Sequence, residues 1–189
     1  MFCKLKKQGY TILIFSAKRF DAEFNRTVNS LDTFMNVWYS KNLAAMKEPI
    51  LADCEEDIEI YRFTWLRTFH NPIMIRVQKV ESNFTLTVKR LSGQSGYEPG
   101  QIIMNKTFKI KETEWDEIQS KLKQINFYQL NAENDFRGFD GAEWILEDAT
   151  QNNYHFTTRW SPGKTGGYAK CCLYFLKLSR IKITENEIY

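Results

Sequence analysis

A chain of 189 residues with 43% hydrophobic and 15% aromatic side chains carries enough apolar surface for a folded core, and that aromatic content excludes a disordered chain. Its 26 basic and 23 acidic residues leave a formal charge of +3, and its scattered lysines and arginines lack the basic stripe of a nucleic-acid binder. Cys3, Cys54, Cys171 and Cys172 form no CxxC pair and there are two histidines, which excludes a zinc pattern and a disulfide framework; reduced thiols in a cytoplasmic protein are expected.

Residues 1–30 read as an N-terminal arm or the start of a leading helix. Lys4, Lys6 and Lys7 precede an apolar run, Tyr10 to Ala17, in the order of an export signal. The run is at the short limit, and Phe15-Ser16-Ala17 is a poor cleavage site. A strand or apolar arm fits it better, with export by a weak signal left open. It is far shorter than the roughly 20 residues of a membrane span.

Residues 31–189 read as a single α+β domain. Phe24, Val28, Leu31, Met35 and Trp38 follow helical spacing, which predicts an amphipathic segment of one helix or two running through Leu43 and Met46 to Glu48-Pro49, capped by Asp21 or Ser30. After an acidic stretch from Asp53 to Glu59, β-formers dominate Ile58 to Leu66. Alternation around Ile73, Ile75 and Val77, and then around Phe84, Leu86 and Val88, predicts a hairpin over Glu81-Ser82-Asn83. A Gly-rich loop spans Gly93 to Gly100, and a fourth strand covers Ile102 to Ile110. Thr113 is the expected N-cap of a helix with Trp115, Ile118, Leu122 and Ile125 on one face. Following the polar loop Asn131 to Gly141, Ala142 to Asp148 and Tyr154 to Trp160 form a second hairpin, and Tyr168 to Ile181 a terminal apolar helix. Strand neighbours without intervening helices predict an antiparallel sheet of about six strands, with the helices on one face.

The chemistry-bearing candidates are sparse. Ser161-Pro-Gly-Lys-Thr165 lacks the upstream glycine of a phosphate loop, whose position falls on Thr158 within a strand, so it reads as a surface turn. His70, with Arg67 nearby, sits before Pro72 and could bind an anion or move a proton; local hydrogen bonding at the turn explains it as well. If the aromatic alternation of the last hairpin points inward, Glu143, Glu147, His155 and Arg159 share an outer polar patch, either a ligand site or cross-strand charge pairing. Glu98, Asp135, Asp140 and Glu143 are loop or strand-end carboxylates. Two of them could converge as a glycosidase-like pair, though the sequence shows no convergence, and Asn131 to Gly141 lacks the spacing of a calcium loop. Adjacent Cys171 and Cys172 read as small buried residues. No cofactor or metal signature emerges.

Four segments stand in order: Tyr61-Arg-Phe-Thr-Trp-Leu-Arg-Thr-Phe-His-Asn-Pro72, Gly96-Tyr-Glu-Pro-Gly100, Gly141-Ala-Glu-Trp-Ile-Leu-Glu147 and Tyr154-His-Phe-Thr-Thr-Arg-Trp-Ser-Pro162. With Trp38-Tyr-Ser-Lys-Asn-Leu43 before them, they resemble a family of uncharacterised bacterial proteins, from about Trp38 to the terminal helix. That family carries an aspartate where Thr158 stands, so a site relying on that acid is altered here. The resemblance implies one domain and adds no chemistry.

Two readings of function follow. One is a non-catalytic binding or interaction protein with a protein or small-molecule ligand, using Tyr97 and Glu98, the Ser161–Gly167 loop or the last hairpin. The other is a small hydrolase-like enzyme using His70 or His155 with Asp140 or Glu143. The first is favoured, with Arg67, His70, Tyr97, Glu98, Asp140, Glu143, His155 and Arg159 as candidate binding residues; Arg67, His70, Asp140 and Arg159 are expected not to line one deep pocket.

Overall fold

The computed structural model describes residues 30–53, 58–132, 138, 140–150 and 153–189, without the side chains of residues 30–33. Phe24, Val28, Cys3, Cys54, Asp135 and the Tyr10–Ala17 run therefore lie outside the described residues. Helix α1 (Ser30–Ala45) leads into strands β1 (Glu59–Arg67), β2 (Ile73–Val80), β3 (Asn83–Leu91) and β4 (Ile102–Lys109). Helix α2 (Glu112–Gln124), strands β5 (Ala142–Thr150) and β6 (Asn153–Trp160), and helix α3 (Gly167–Ser179) complete the order. The six strands form one antiparallel sheet in the order β4-β3-β2-β1-β5-β6. The expected α+β class is thus the observed one.

Helices cover both faces of the sheet, where the strand pattern predicted one. Helices α2 and α3 pack on the face carrying Tyr61, Phe63, Trp65, Ile75, Val77 and Trp144. Helix α1 packs on the other, against Ile60, Leu66, Met74 and Ile145. The reason is visible in β1, whose residues from Ile60 to Arg67 are all buried. A strand buried on both sides has no wet alternation, so its charged residues cannot be assumed to face solvent. Phe63, Trp65 and Trp144 pack with ring centroids 5.4–6.5 Å apart; each such buried side chain contributes roughly 1.5–3 kcal/mol.

The α1 face includes a group of buried charges. Arg62 of β1 donates from Nε and Nη2 to the two carboxylate oxygens of its cross-strand neighbour Glu147, both at 2.6 Å. Its Nη1 reaches the carbonyl of Pro49 at 2.9 Å, and Tyr154 donates to Glu147 at 3.0 Å. Glu48 lies 3.5 Å from Arg76 and 2.6 Å from Lys89. Lys89 also donates to the carbonyls of Met46 and Lys47 at 2.9 and 3.3 Å. These carbonyls lie just past the end of α1, where Lys47 turns the backbone into the left-handed region at φ 55°. A buried ammonium thereby satisfies the carbonyl end of a helix and complements its dipole.

Local expectations shift in small ways. The buried stripe of α1 is Met35, Tyr39, Leu43 and Met46, one residue round from the expected Trp38. Helix α2 starts earlier than the expected Thr113 cap: Lys111 is the N-cap, and Glu114 accepts a bond from its backbone N–H at 2.8 Å. That return bond satisfies one orphan donor. Helix α3 ends at Ser179, two residues before the expected Ile181, because Arg180 adopts φ 58°. Cys171 and Cys172 are both buried in the α2–α3 core, as their sequence reading expected. Burial pushes the Cys171 thiol up to about 12 and that of Cys172 up as well, which suppresses thiolate chemistry.

Candidate functional site

Antiparallel pairing brings the β1–β2, β3–β4 and β5-preceding loops and the β6–α3 loop to one end of the sheet. The segments 67–72, 92–101, 140–142 and 160–166 therefore meet there, though they are far apart in the chain. Backbone bonds lock them together. Ser95 N–H donates to the Arg67 carbonyl at 3.2 Å, Gly96 N–H to that of Thr68 at 3.3 Å, and Thr68 N–H to that of Gly141 at 2.9 Å. Asn71 donates from Nδ2 to the Gly93 carbonyl at 2.9 Å, and Trp38 of α1 donates its indole N–H to the Ser95 carbonyl. Two glycines permit this closeness. A Cβ at Gly93 would stand 1.9 Å from the Glu98 carbonyl oxygen, and one at Gly141 2.5 Å from Ser161 Oγ.

On the α2–α3 side of this end, the last residues of the chain complete a charged centre. Arg67 ends β1 fully buried, its guanidinium 4.1 Å from the Trp65 ring centroid. It donates from Nη1 to Glu187 at 3.1 Å and from Nη2 to the Asn71 carbonyl at 2.9 Å, while Nε has no partner. Arg90 grips the Asn71 side-chain oxygen at 2.7 and 3.0 Å. His70 Nδ1 lies 2.8 Å from the hydroxyl of Tyr189, whose carbonyl accepts the Trp144 indole N–H at 2.8 Å. Burial, only partly offset by Glu187, pulls the Arg67 guanidinium below its ordinary range. Burial and then the Arg67 charge lower His70, favouring neutral imidazole at pH 7. Glu187 is held low against a burial penalty by bonds from Thr184 and Arg67.

The sequence-derived candidates separate into two groups. Arg67 and His70 converge on Glu187 and Tyr189. Tyr97 and Glu98 lie on the loop folded against them: Tyr97 is 62% exposed, and Glu98 pairs with Lys41 at 2.7 Å. Asp140 is exposed beside Gly141, at the same end. The expected patch of Glu143, Glu147, His155 and Arg159 does not form. The register pairs Glu143 with Trp160, Trp144 with Arg159, Glu147 with Phe156 and Asp148 with His155. Glu143 and Glu147 therefore share the α1 face with Phe156 and Trp160, while His155 and Arg159 project to the opposite face. His155 Nε2 contacts the Phe127 carbonyl at 2.9 Å, and Arg159 donates to Asn131 and Thr157. Ser161–Thr165 is the surface turn its sequence suggested, with Gly163 at φ 75°.

At the far end of the same face lies a group that sequence reading missed. Tyr61, Gln119, Phe127 and Tyr128 line a groove of about 340 Å³. Behind it Asp148 is fully buried, bonded by Tyr128 and with Oδ1 unpartnered. Burial pushes its carboxyl up to about 7, against the hydrogen bonds from Tyr128 and Thr150. Gln119 donates to Tyr61 Oη at 3.3 Å. The position of Asp148 at the end of an apolar strand was the available signal. Glu187 and Tyr189 offered none, because nothing local relates a tail to a turn over a hundred residues earlier. Among the described residues, no three His, Cys, Asp or Glu side chains cluster as metal ligands, and no helix is long and apolar enough to cross a membrane.

No protein-family model matches the chain. No curated protein matches it either.

Proposed function

We propose that this is a non-catalytic binding protein whose recognition surface is the loop end of the sheet. The observation that carries the reading is the pairing of exposed aromatic rings with a locked backbone. Phe69 and Tyr97 are 48% and 62% exposed, yet the segments bearing them are cross-linked by the backbone bonds of Ser95 and Gly96 to residues 67, 68 and 70. Large apolar rings in water on rigid loops lose little entropy on meeting a partner, which is the usual property of binding anchors. His70, Glu98 and Asp140 supply polar groups around them. The four segments on which the resemblance was drawn all reach or border this end, which supports the reading.

A thermal-shift screen of small molecules and short peptides tests it, since a ligand of the native state raises the midpoint by mass action. Hits on the wild type should lose at least half of their shift in His70→Ala and Tyr97→Ala, by order of magnitude for lost anchors. Hits indifferent to both substitutions would place recognition elsewhere and overturn the reading.

A further inference from the structure

We propose that Arg67, Arg90, His70 and Trp144 form a site for a peptide bearing a carboxylate two residues before an aromatic side chain, and that the chain's own Glu187-Ile-Tyr189 occupies this site in cis. The inference rests on the reading of the loop end as a binding surface and names the partner chemistry it would take.

The donors at this site outnumber the acceptors the tail supplies. Arg67 is fully buried but leaves Nε unpartnered, and Trp65, whose ring lies under that guanidinium, leaves its indole N–H unpartnered too. A second guanidinium, Arg90, shares Asn71 with Arg67. Its charge further disfavours the Arg67 cation, so an added carboxylate would relieve repulsion as well as fill open donors. Against two cations the tail brings the Glu187 carboxylate, at 3.1 Å and with its side chain 21% exposed. The carboxylate thus stands at the mouth of the site, partly open to solvent.

The tail is also shaped as a ligand. Thr184 N–H and Oγ1 both bond Glu187 Oε1, at 3.2 and 2.9 Å, closing a short turn. That leaves Oε2 aimed at Arg67. Two residues on, the Tyr189 ring sits 5.6 Å from the His70 ring, with its hydroxyl on Nδ1. The indole of Trp144 donates to the main-chain oxygen of Tyr189 rather than to a side chain. One charge contact, one aromatic contact and one backbone contact define a short recognition element, each of which a peptide in trans would make in the tail's place.

The test uses the full chain with E187Q and Y189A together, which vacates the site while keeping Ile188. A fluorescein-labelled peptide, Thr-Glu-Asn-Glu-Ile-Tyr, is titrated by fluorescence polarisation. The vacated variant should bind it about tenfold or more tightly than wild type. A peptide with Gln for its second Glu, or a vacated variant also carrying Arg67→Lys, should each lose about tenfold. Equal affinity in wild type and vacated variant, no binding by a vacated variant with native near-ultraviolet dichroism, or indifference to the Gln peptide overturns the inference. Should the double variant not fold, Glu187→Gln alone is compared with wild type, and equal peptide affinity overturns it. Failure here with screen hits that still depend on His70 and Tyr97 removes the tail inference alone; hits indifferent to those residues remove the underlying reading.

Discussion

Arg62 and Arg67 lie five residues apart on β1, both without solvent exposure, and they differ in nearly everything else. Their odd separation puts them on opposite faces of the sheet. Arg62 meets Glu147 in a two-bond fork and a carbonyl with its remaining nitrogen, and these contacts outweigh burial and raise its guanidinium above the ordinary range. Arg67 has one carboxylate oxygen, one carbonyl and an open Nε, and burial prevails. A saturated buried ion is a structural part, because nothing further can be added to it. An unsaturated one beside exposed loops retains capacity to bind. The two environments separate fold from recognition within a single strand.

The largest expected effect breaks the saturated side. Arg62→Ala strands Glu147 without its cation, and should cost about 3–5 kcal/mol in urea unfolding. Replacing both partners together, as Arg62→Met with Glu147→Leu, should cost far less, since no uncompensated charge is left behind. A double change as damaging as the single one would mean the pair does more than cancel its own burial.

Asp148 sharpens the contrast with a carboxyl that burial, without a cation, governs. Its folded value near 7 stands above an unfolded value of about 3.9. The native state therefore holds a proton that the unfolded chain releases, and stability should fall as pH rises from about 4 through 7, by up to about 4 kcal/mol. Asp148→Asn should flatten that window in unfolding curves taken at successive pH values. An unchanged slope would assign the titration to another group.

Glu187→Gln tests the unsaturated side and should cost about 1 kcal/mol, since a partly exposed carboxylate leaves Arg67 with its Asn71 bond intact. A loss as large as that of Arg62→Ala would show that Arg67 is as structural as Arg62. Smallest of all, Lys41→Ala removes the surface pair with Glu98 and should change stability by less than about 0.5 kcal/mol, an effect that 1 M salt erases.

Much of the fold was legible along the chain. Ile73, Ile75 and Val77 alternate as β2 shows them, Glu81 to Asn83 turn into β3, and Trp115, Ile118 and Leu122 are the buried stripe of α2. These are local signals, with the periods of strand and helix built into the order of residues. The candidate site was legible in part: Arg67, His70, Tyr97 and Asp140 do reach one end of the sheet. Their partners were not. Glu187 and Tyr189 touch Arg67 and His70 across more than a hundred residues, a distance over which composition and spacing carry no signal. The polar patch on the last hairpin failed for a different reason. It assumed one wet face, whereas the β5–β6 register puts Glu143 and Glu147 on the α1 face and His155 and Arg159 on the other.

What the sequence determined by itself was the inventory of elements, since periodicity, turn residues and β-formers act within a few neighbours. What only the tertiary structure decided was which face each charge meets. The register of β5 against β1 and β6 sets Glu147 on Arg62 and His155 opposite Asp148; a slip of one residue would exchange those faces. That register depends on two packed layers, not on any one strand. The same packing makes one arginine of β1 a saturated part of the core and leaves the other, equally buried, with an open Nε behind Glu187.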